Sequence, residues 1–269
     1  MADTIKSIYE KNKQRRVYSR EMEINHTFMG SFEVLGRDSD KQKIIDILMK
    51  PNKEGETVDV IPIVGLGGLG KTTLAKLVYS DKKIDENFDL KMWVSVPADF
   101  DMIKLMKEAY SSATGQDHVE LEADELENRL LEELVDKKFL LVLDDVWNNI
   151  SDRWENLKNL FMQQQACGSK IVATTRSKQV AKLTAGTAPG CDLTCLPHKD
   201  CMSLFLKSAF REETKKANPE LIEIGGQVVE KCGGNPLVVK TLGTLLYQNT
   251  NMCDWSLIKE SVITYKGAR

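Results

Sequence analysis

The stretch Ile63-Val64-Gly65-Leu66-Gly67-Gly68-Leu69-Gly70-Lys71-Thr72-Thr73-Leu74-Ala75-Lys76 holds residue types that bind phosphate. Glycines let backbone N–H groups curl around an anion, a lysine adds positive charge, and a threonine hydroxyl can ligate a hard divalent cation. Two spacings fit at once. Gly65, Gly67 and Gly70 follow G-x-G-x-x-G, the dinucleotide fingerprint, whereas Gly65, Gly70, Lys71 and Thr72 follow G-x-x-x-x-G-K-T, the P-loop. The first predicts a redox cofactor and the second a nucleoside triphosphate.

A dinucleotide site wants an acidic residue near the end of the second strand, to hold ribose hydroxyls. Here the second apolar run, Met92–Val96, is followed by Pro97-Ala98, and Asp99 comes only afterwards. That reading also leaves Lys71, Thr72 and Thr73 without a role. The P-loop uses all of them. Backbone N–H groups from Gly67 through Gly68, Leu69 and Gly70 to Thr72 would surround the β-phosphate, Lys71 would neutralise phosphate oxygens, and Thr72 would coordinate Mg²⁺. An independent check comes from Phe139-Leu140-Leu141-Val142-Leu143-Asp144-Asp145, five apolar residues running into two carboxylates. Asp144 can reach the Mg²⁺ sphere and Asp145 can orient a water, as in a Walker-B strand. The competing reading makes the pair a cap for a helix near Trp147; the P-loop upstream decides against it. A third stretch, Lys170-Ile171-Val172-Ala173-Thr174-Thr175-Arg176, puts Arg176 just past a buried strand, where it could sense a γ-phosphate. Taken alone, Arg176 would read as a solvated arginine at a helix start.

The elements that must position these groups alternate. Short runs rich in β-branched residues (Val58–Val64, Met92–Val96, Phe139–Leu143, Ile171–Thr175) read as buried parallel strands. Helical patterns fall at Asp38–Met49, Lys71–Val78, Ile103–Ala113, on Leu121, Leu126, Leu130 and Leu134, and at Trp154–Phe161. Such alternation predicts an α/β fold, a P-loop NTPase parallel sheet with helices on both faces. After about Leu196 the strands stop, and His198–Phe210, Pro219–Lys231 and Pro236–Tyr247 predict a small helical domain. The expected division is an N-terminal linker helix over 1–30, a nucleotide-binding domain over 31–190 and a helical domain over 191–269.

Bulk properties narrow the partners. The chain has 269 residues and a formal charge of −3, which gives no general reason to expect nucleic acid or an anionic membrane. No apolar run approaches the roughly 20 residues of a membrane span. The segment Pro236–Tyr247 is short and contains Lys240, and the N-terminal stretch lacks the apolar core of a signal peptide. A reducing compartment is expected, cytoplasmic with the nucleus as an alternative. Cys191, Cys195, His198 and Cys201 cluster without the spacing of a zinc site and read as plain thiols. The acidic segment Glu120–Asp136 reads as a solvated face, Trp93, Trp154 and Trp255 as packing, and the basic run Lys11–Arg16 as linker.

With the motifs in place, the sequence resembles the NB-ARC nucleotide-binding module of plant intracellular immune receptors (NLR proteins), within the STAND class of signal ATPases. The resemblance rests on six stretches in order between Val34 and Leu246: Val34–Asp38, the P-loop, Phe88–Val96, the Walker-B strand ending Asp145-Val146-Trp147, Gly168–Arg176 and Cys232-Gly233-Gly234-Asn235-Pro236-Leu237. Trp147 after the aspartates is similar to the coiled-coil subclass. The resemblance implies that Leu35, Gly36 and Arg37, with Val34 beside them, line the adenine and ribose. It implies that Gly68 to Thr73 hold phosphates, that Asp144 and Asp145 serve magnesium and water, and that Arg176 is the sensor arginine. Pro236, with Leu237 beside it, would pack on adenine. Asn235 departs from the family's leucine and would place a polar side chain near that pocket.

The function this implies is an adenine-nucleotide switch, ADP at rest and ATP when active, with slow or no hydrolysis. Asp145 is one methylene shorter than the glutamate of many ATPases, and the chain offers no evident arginine finger. The resemblance further implies a fragment of a larger receptor, with a winged helix, leucine-rich repeats and coiled coil outside it, and self-association on activation. An actively turning-over ATPase or small-molecule kinase is the alternative. A kinase would need an arginine-bearing lid, whereas Gln179–Gly190 is small and nearly neutral. A module that has lost its nucleotide is the third reading; intact Lys71, Thr72, Asp144 and Asp145 speak against it.

Overall fold

The computed structural model describes residues 34–54, 57–97, 99–116, 121–147, 151–162, 167–210 and 218–262. The N-terminal helix expected over 1–30 and the Lys11–Arg16 linker lie outside them. The chain divides into two compact units. Among the described residues, one runs from Arg37 to Thr194 and the other holds those from Cys195 onward together with 34–36.

In the first unit the elements are α1 (Asp38–Leu48), β1 (Val58–Val64), α2 (Lys71–Tyr79), α3 (Lys82–Asn87), β2 (Leu90–Ser95), α4 (Met102–Thr114), α5 (Ala123–Leu134), β3 (Phe139–Val146), α6 (Ser151–Met162), β4 (Ser169–Thr175), α7 (Lys178–Thr184) and β5 (Cys191–Asp192). The strands form one sheet in the order β2-β3-β4-β1-β5, every pair parallel. This is the expected fold. Strand side chains alternate between two cores. Phe139, Leu141, Leu143, Ile171 and Ala173 pack with Leu105, Met106, Leu126, Leu130, Trp154 and Phe161 on one face. Leu140, Val142, Val172, Ile61 and Ile63 pack with Ile44, Ile45, Leu48, Leu74 and Val78 on the other. Because both faces are covered, β1 and β3 are apolar at most positions, and β4 is apolar through its centre, Ile171 to Ala173.

In this unit four features differ from the sequence reading. Strand β2 begins at Leu90, two residues early, and admits Lys91 because it is an edge strand whose lysine can reach outward. Lys91 Nζ donates to Tyr79 O at 2.7 Å and also meets Asp85. Strand β3 runs past Leu143 to Val146, through a register shift against β4. The segment after Arg176, read as small and nearly neutral with no element assigned to it, contains α7, capped by the Ser177 hydroxyl, and is followed by β5, which pairs with Ile63 and Val64. Short α3 was not expected either; the Asp81 carboxylate caps it by accepting from Lys83 N–H.

The second unit contains α8 (His198–Ala209), α9 (Pro219–Lys231), α10 (Pro236–Leu245) and α11 (Met252–Ser261). Trp255 lies at its centre, fully buried, edge-on to Phe205 at 5.8 Å and stacked on Phe210 at 5.3 Å, with its indole N–H donating to Asn249 O at 2.8 Å. Helix α11 escaped the sequence reading because only Trp255 and Ile258 bury, too few to show a helical period. Trp154 is core as expected, while Trp93 is half-buried, edge-on to Tyr79.

Candidate functional site

The loop between β1 and α2 is shaped by its glycines. Gly68 and Gly70 adopt φ of 82° and 90°, a left-handed backbone that costs a residue with a Cβ about 1–2 kcal/mol. Gly70 is the N-cap of α2 and supplies no side chain to it. The first-turn N–H groups of Lys71, Thr72 and Thr73 therefore lack a side-chain cap, at the positive end of the helix. That is the condition for anion binding.

Lys71 opens the helix and is 7% exposed. Its Nζ donates to Gly65 O at 2.8 Å and Leu66 O at 3.1 Å, bridging the mouth of the loop. Burial pushes its pKa below the ordinary lysine value, the nearby Arg176 charge adds to this, and Asp145 and Asp144 oppose it.

Across from Lys71, β3 ends in the carboxylates. The Thr72 hydroxyl donates to Asp144 Oδ1 at 2.9 Å. The Thr174 hydroxyl on β4 donates to the same oxygen at 2.6 Å and accepts the Asp145 N–H at 2.8 Å. Asp145 has φ of 59°, which places it in the register shift between Leu143 and Val146 and turns the chain there. Its carboxylate lies 3.4 Å from Arg176 Nε, and the Arg176 guanidinium sits 5.3 Å from the Trp147 ring centre. A Cβ added to Gly67 would stand 3.4 Å from Arg176 Nη1, so the arginine also lies along the loop.

Gly67, Gly68, Leu69, Gly70, Lys71, Thr72, Thr73, Asp144, Asp145 and Arg176 thus gather at the C-terminal rim of one sheet, the usual ligand side of an open α/β sheet. Arg37 belongs to the same unit but is committed to the backbone. Its Nη2 donates to Leu69 O at 2.9 Å and Thr194 O at 2.8 Å, and its Nη1 pairs with Asp40 at 3.0 Å. It therefore braces the loop. Val34, Leu35 and Gly36 lie in the second unit, as do Pro236 and Leu237 in the first turn of α10. Leu237 is 59% exposed.

Asn235, which the sequence reading set near an adenine pocket, has a local role at the start of α10. It is 3% exposed and caps α10, its Oδ1 accepting from Leu237 N–H at 3.0 Å and Val238 N–H at 3.3 Å. The preceding Gly234 has φ of 75° and passes so close to Cys195 and the Leu196 carbonyl that a Cβ would stand 2.7 Å from each. Thr174 is the residue sequence reasoning missed. The available signal was a hydroxyl inside an apolar strand, which must find a partner when buried.

The donor set fits a hard divalent cation. Asp144 Oδ2 accepts no hydrogen bond among the described residues, and the Thr72 oxygen stands beside it with lone pairs to spare.

A parallel sheet with a glycine loop after β1, a lysine and threonine opening the next helix, and paired carboxylates ending β3 defines a P-loop NTPase fold. Solved structures agree on that fold. Cdc6p from Pyrobaculum aerophilum matches with a TM-score of 0.55 at 14% identity, covering 82% of this chain and 61% of that one. A STAND protein with a tetratricopeptide repeat sensor from Pyrococcus horikoshii matches at 0.52 and 17%, covering 85% and 33%. The family model of the NB-ARC domain matches residues 37–215, and the chain belongs to that family. Among curated relatives, disease resistance protein RGA2 of Solanum bulbocastanum is 36% identical over 257 residues, 95% of this chain and 26% of that protein. The chain spans about a quarter of the length of the curated relatives it matches. Among the described residues no helix is long and apolar enough to cross a membrane.

Proposed function

We propose that this chain is the adenine-nucleotide switch of a plant intracellular immune receptor, ADP-bound at rest and ATP-bound when active, with slow or absent hydrolysis. The observation that carries the reading is the 2.9 Å hydrogen bond from Thr72 to Asp144, which joins the phosphate loop to the Walker-B strand. The relatives named as plant disease resistance proteins support the immune setting. Six free cysteines, among them buried Cys201 and Cys232, suit a reducing cytoplasm or nucleus.

In this reading the amides of Gly68 to Thr73 bind the phosphates, and Lys71 exchanges its carbonyl partners for phosphate oxygens. Thr72 and Asp144 would hold magnesium, which when bound supplies charge neutralisation between phosphate oxygens. Asp145 orients water, and Arg176 faces the terminal phosphate. Val34, Leu35, Gly36, Pro236 and Leu237 contact the adenine side, while Arg37 keeps the loop closed from behind. A nucleotide biases such a switch only through unequal affinity for its two arrangements. The coiled coil, leucine-rich repeats and self-association of the receptor are its partners in this proposal.

The test is to denature the purified protein, separate what it releases, and quantify adenine nucleotides and dinucleotides per chain. Close to stoichiometric ADP is expected. An empty protein that also fails to bind Mg·ATP on titration would overturn the reading, as would a bound dinucleotide.

A further inference from the structure

Thr174 lies one strand away from the phosphate loop and is fully buried. Its hydroxyl has one proton, and its position is determined by what surrounds it. The Asp145 N–H can only donate, and it points at Thr174 Oγ1 from 2.8 Å. The oxygen therefore accepts there and directs its own proton to Asp144 Oδ1, 2.6 Å away. Asp144 Oδ1 also receives the Thr72 proton at 2.9 Å. Two hydroxyl donors on one oxygen fix the rotation of the carboxylate and leave Oδ2 as the outward oxygen. The same contact secures the left-handed Asp145, whose amide would otherwise lose its ladder partner at the register shift. The neighbouring Thr175 closes the other side, donating to Val146 O at 2.8 Å. The two threonines together stitch β3 back to β4 across the irregularity.

We infer that Thr174 is a positioning residue for the divalent-cation half of the site: it presents Asp144 Oδ2 to the ion and holds Asp145 in its turned conformation. The inference rests on the nucleotide reading above. It assigns the cation affinity of the site in part to a side chain that touches neither ion nor nucleotide. Residues behind a metal ligand in this way typically change metal affinity about 10- to 100-fold when removed.

The experiment uses the full chain as wild type, Thr174→Val and Thr174→Ser. ADP affinity is measured by calorimetry in EDTA and then across a Mg²⁺ titration, with circular dichroism confirming that each variant is folded. Valine keeps the shape and removes both hydrogen bonds, whereas serine keeps the hydroxyl. The expected result is unchanged Mg²⁺-free affinity in all three. The Mg²⁺ midpoint should shift about 10- to 100-fold upward for valine and stay near wild type for serine. A purely structural threonine would move affinity in EDTA and in Mg²⁺ alike, which would overturn the inference. So would a valine variant that titrates Mg²⁺ like wild type. A wild-type chain that binds no nucleotide overturns the reading of the site itself, and this inference with it.

Discussion

The sheet carries a lysine–aspartate arrangement at each end, and the two are built on opposite principles. At the N-terminal end, Asp59 on β1 and Lys170 on β4 are 3% and 1% exposed, 3.7 Å apart. Asp59 Oδ1 accepts from the amides of Val60, Thr187 and Ala188 at 2.9, 2.9 and 3.3 Å, and Thr187 Oγ1 approaches Oδ2 at 3.5 Å. This pair pins the chain after α7 to the sheet. At the C-terminal end, Lys71 holds only carbonyls, Asp144 keeps an oxygen without a protein partner among the described residues, and Asp145 sits in a left-handed backbone. A buried charge pair whose bonds are made within the protein is costly to break; a charge left with unfilled valence at a rim is available to a ligand.

The contrast can be broken by exchanging readouts. Asp59→Ala leaves Lys170 buried without its carboxylate and should cost about 3–5 kcal/mol of stability in guanidinium unfolding. Nucleotide affinity should stay near wild type. Equal losses in both would show that the closed end also serves the ligand.

Lys71→Ala should do the reverse. Two charge-assisted phosphate contacts at about 1.5 kcal/mol or more each imply a loss of about a hundredfold or more in ADP affinity. Stability should not fall, since a buried cation is removed; nucleotide binding at wild-type strength would reject the open end as a site. In the second unit, Asn235→Ala removes a helix cap and should cost about 1 kcal/mol or more in thermal unfolding. The smallest effect belongs to Trp147→Ala, which removes a partly exposed cation–π contact worth about 0.5–1 kcal/mol. ATP affinity should move by a few-fold and the unfolding midpoint hardly at all, sharpening how far the open end extends.

The phosphate loop and the aspartate pair were legible because both break local expectation. Glycines crowd where a strand should pass into a helix, and charges end an apolar run. Both cores were legible too, since strands buried on two faces leave unbroken runs of Leu, Val and Ile. What the sequence hid is of a different kind. Nothing in the letters of Asp145 encodes φ of 59°, and without that turn Thr174 looks like one more strand residue. Helices α3 and α7, six and seven residues long, are too short to display a period. Strand β5 is two residues long and exists only because β1 offers it an edge. Arg37 and Asn235 were recognised as parts of motifs, yet their side chains serve backbone carbonyls and amides, bonds that no spacing reveals.

The two adjacent aspartates invite a geneticist to treat one as a spare. The register shift at Leu143–Val146 argues otherwise. From Leu143 to Val146 strand β3 takes three steps where β4, from Ala173 to Thr175, takes two, so the doublet holds one residue more than an even ladder needs. Removing either codon would restore the even ladder, with Val146 still opposite Thr175 and still in the core. A single in-frame deletion at this doublet would therefore spare the sheet yet erase the left-handed turn that sets the two carboxylates apart, and the protein would fold without its second acid.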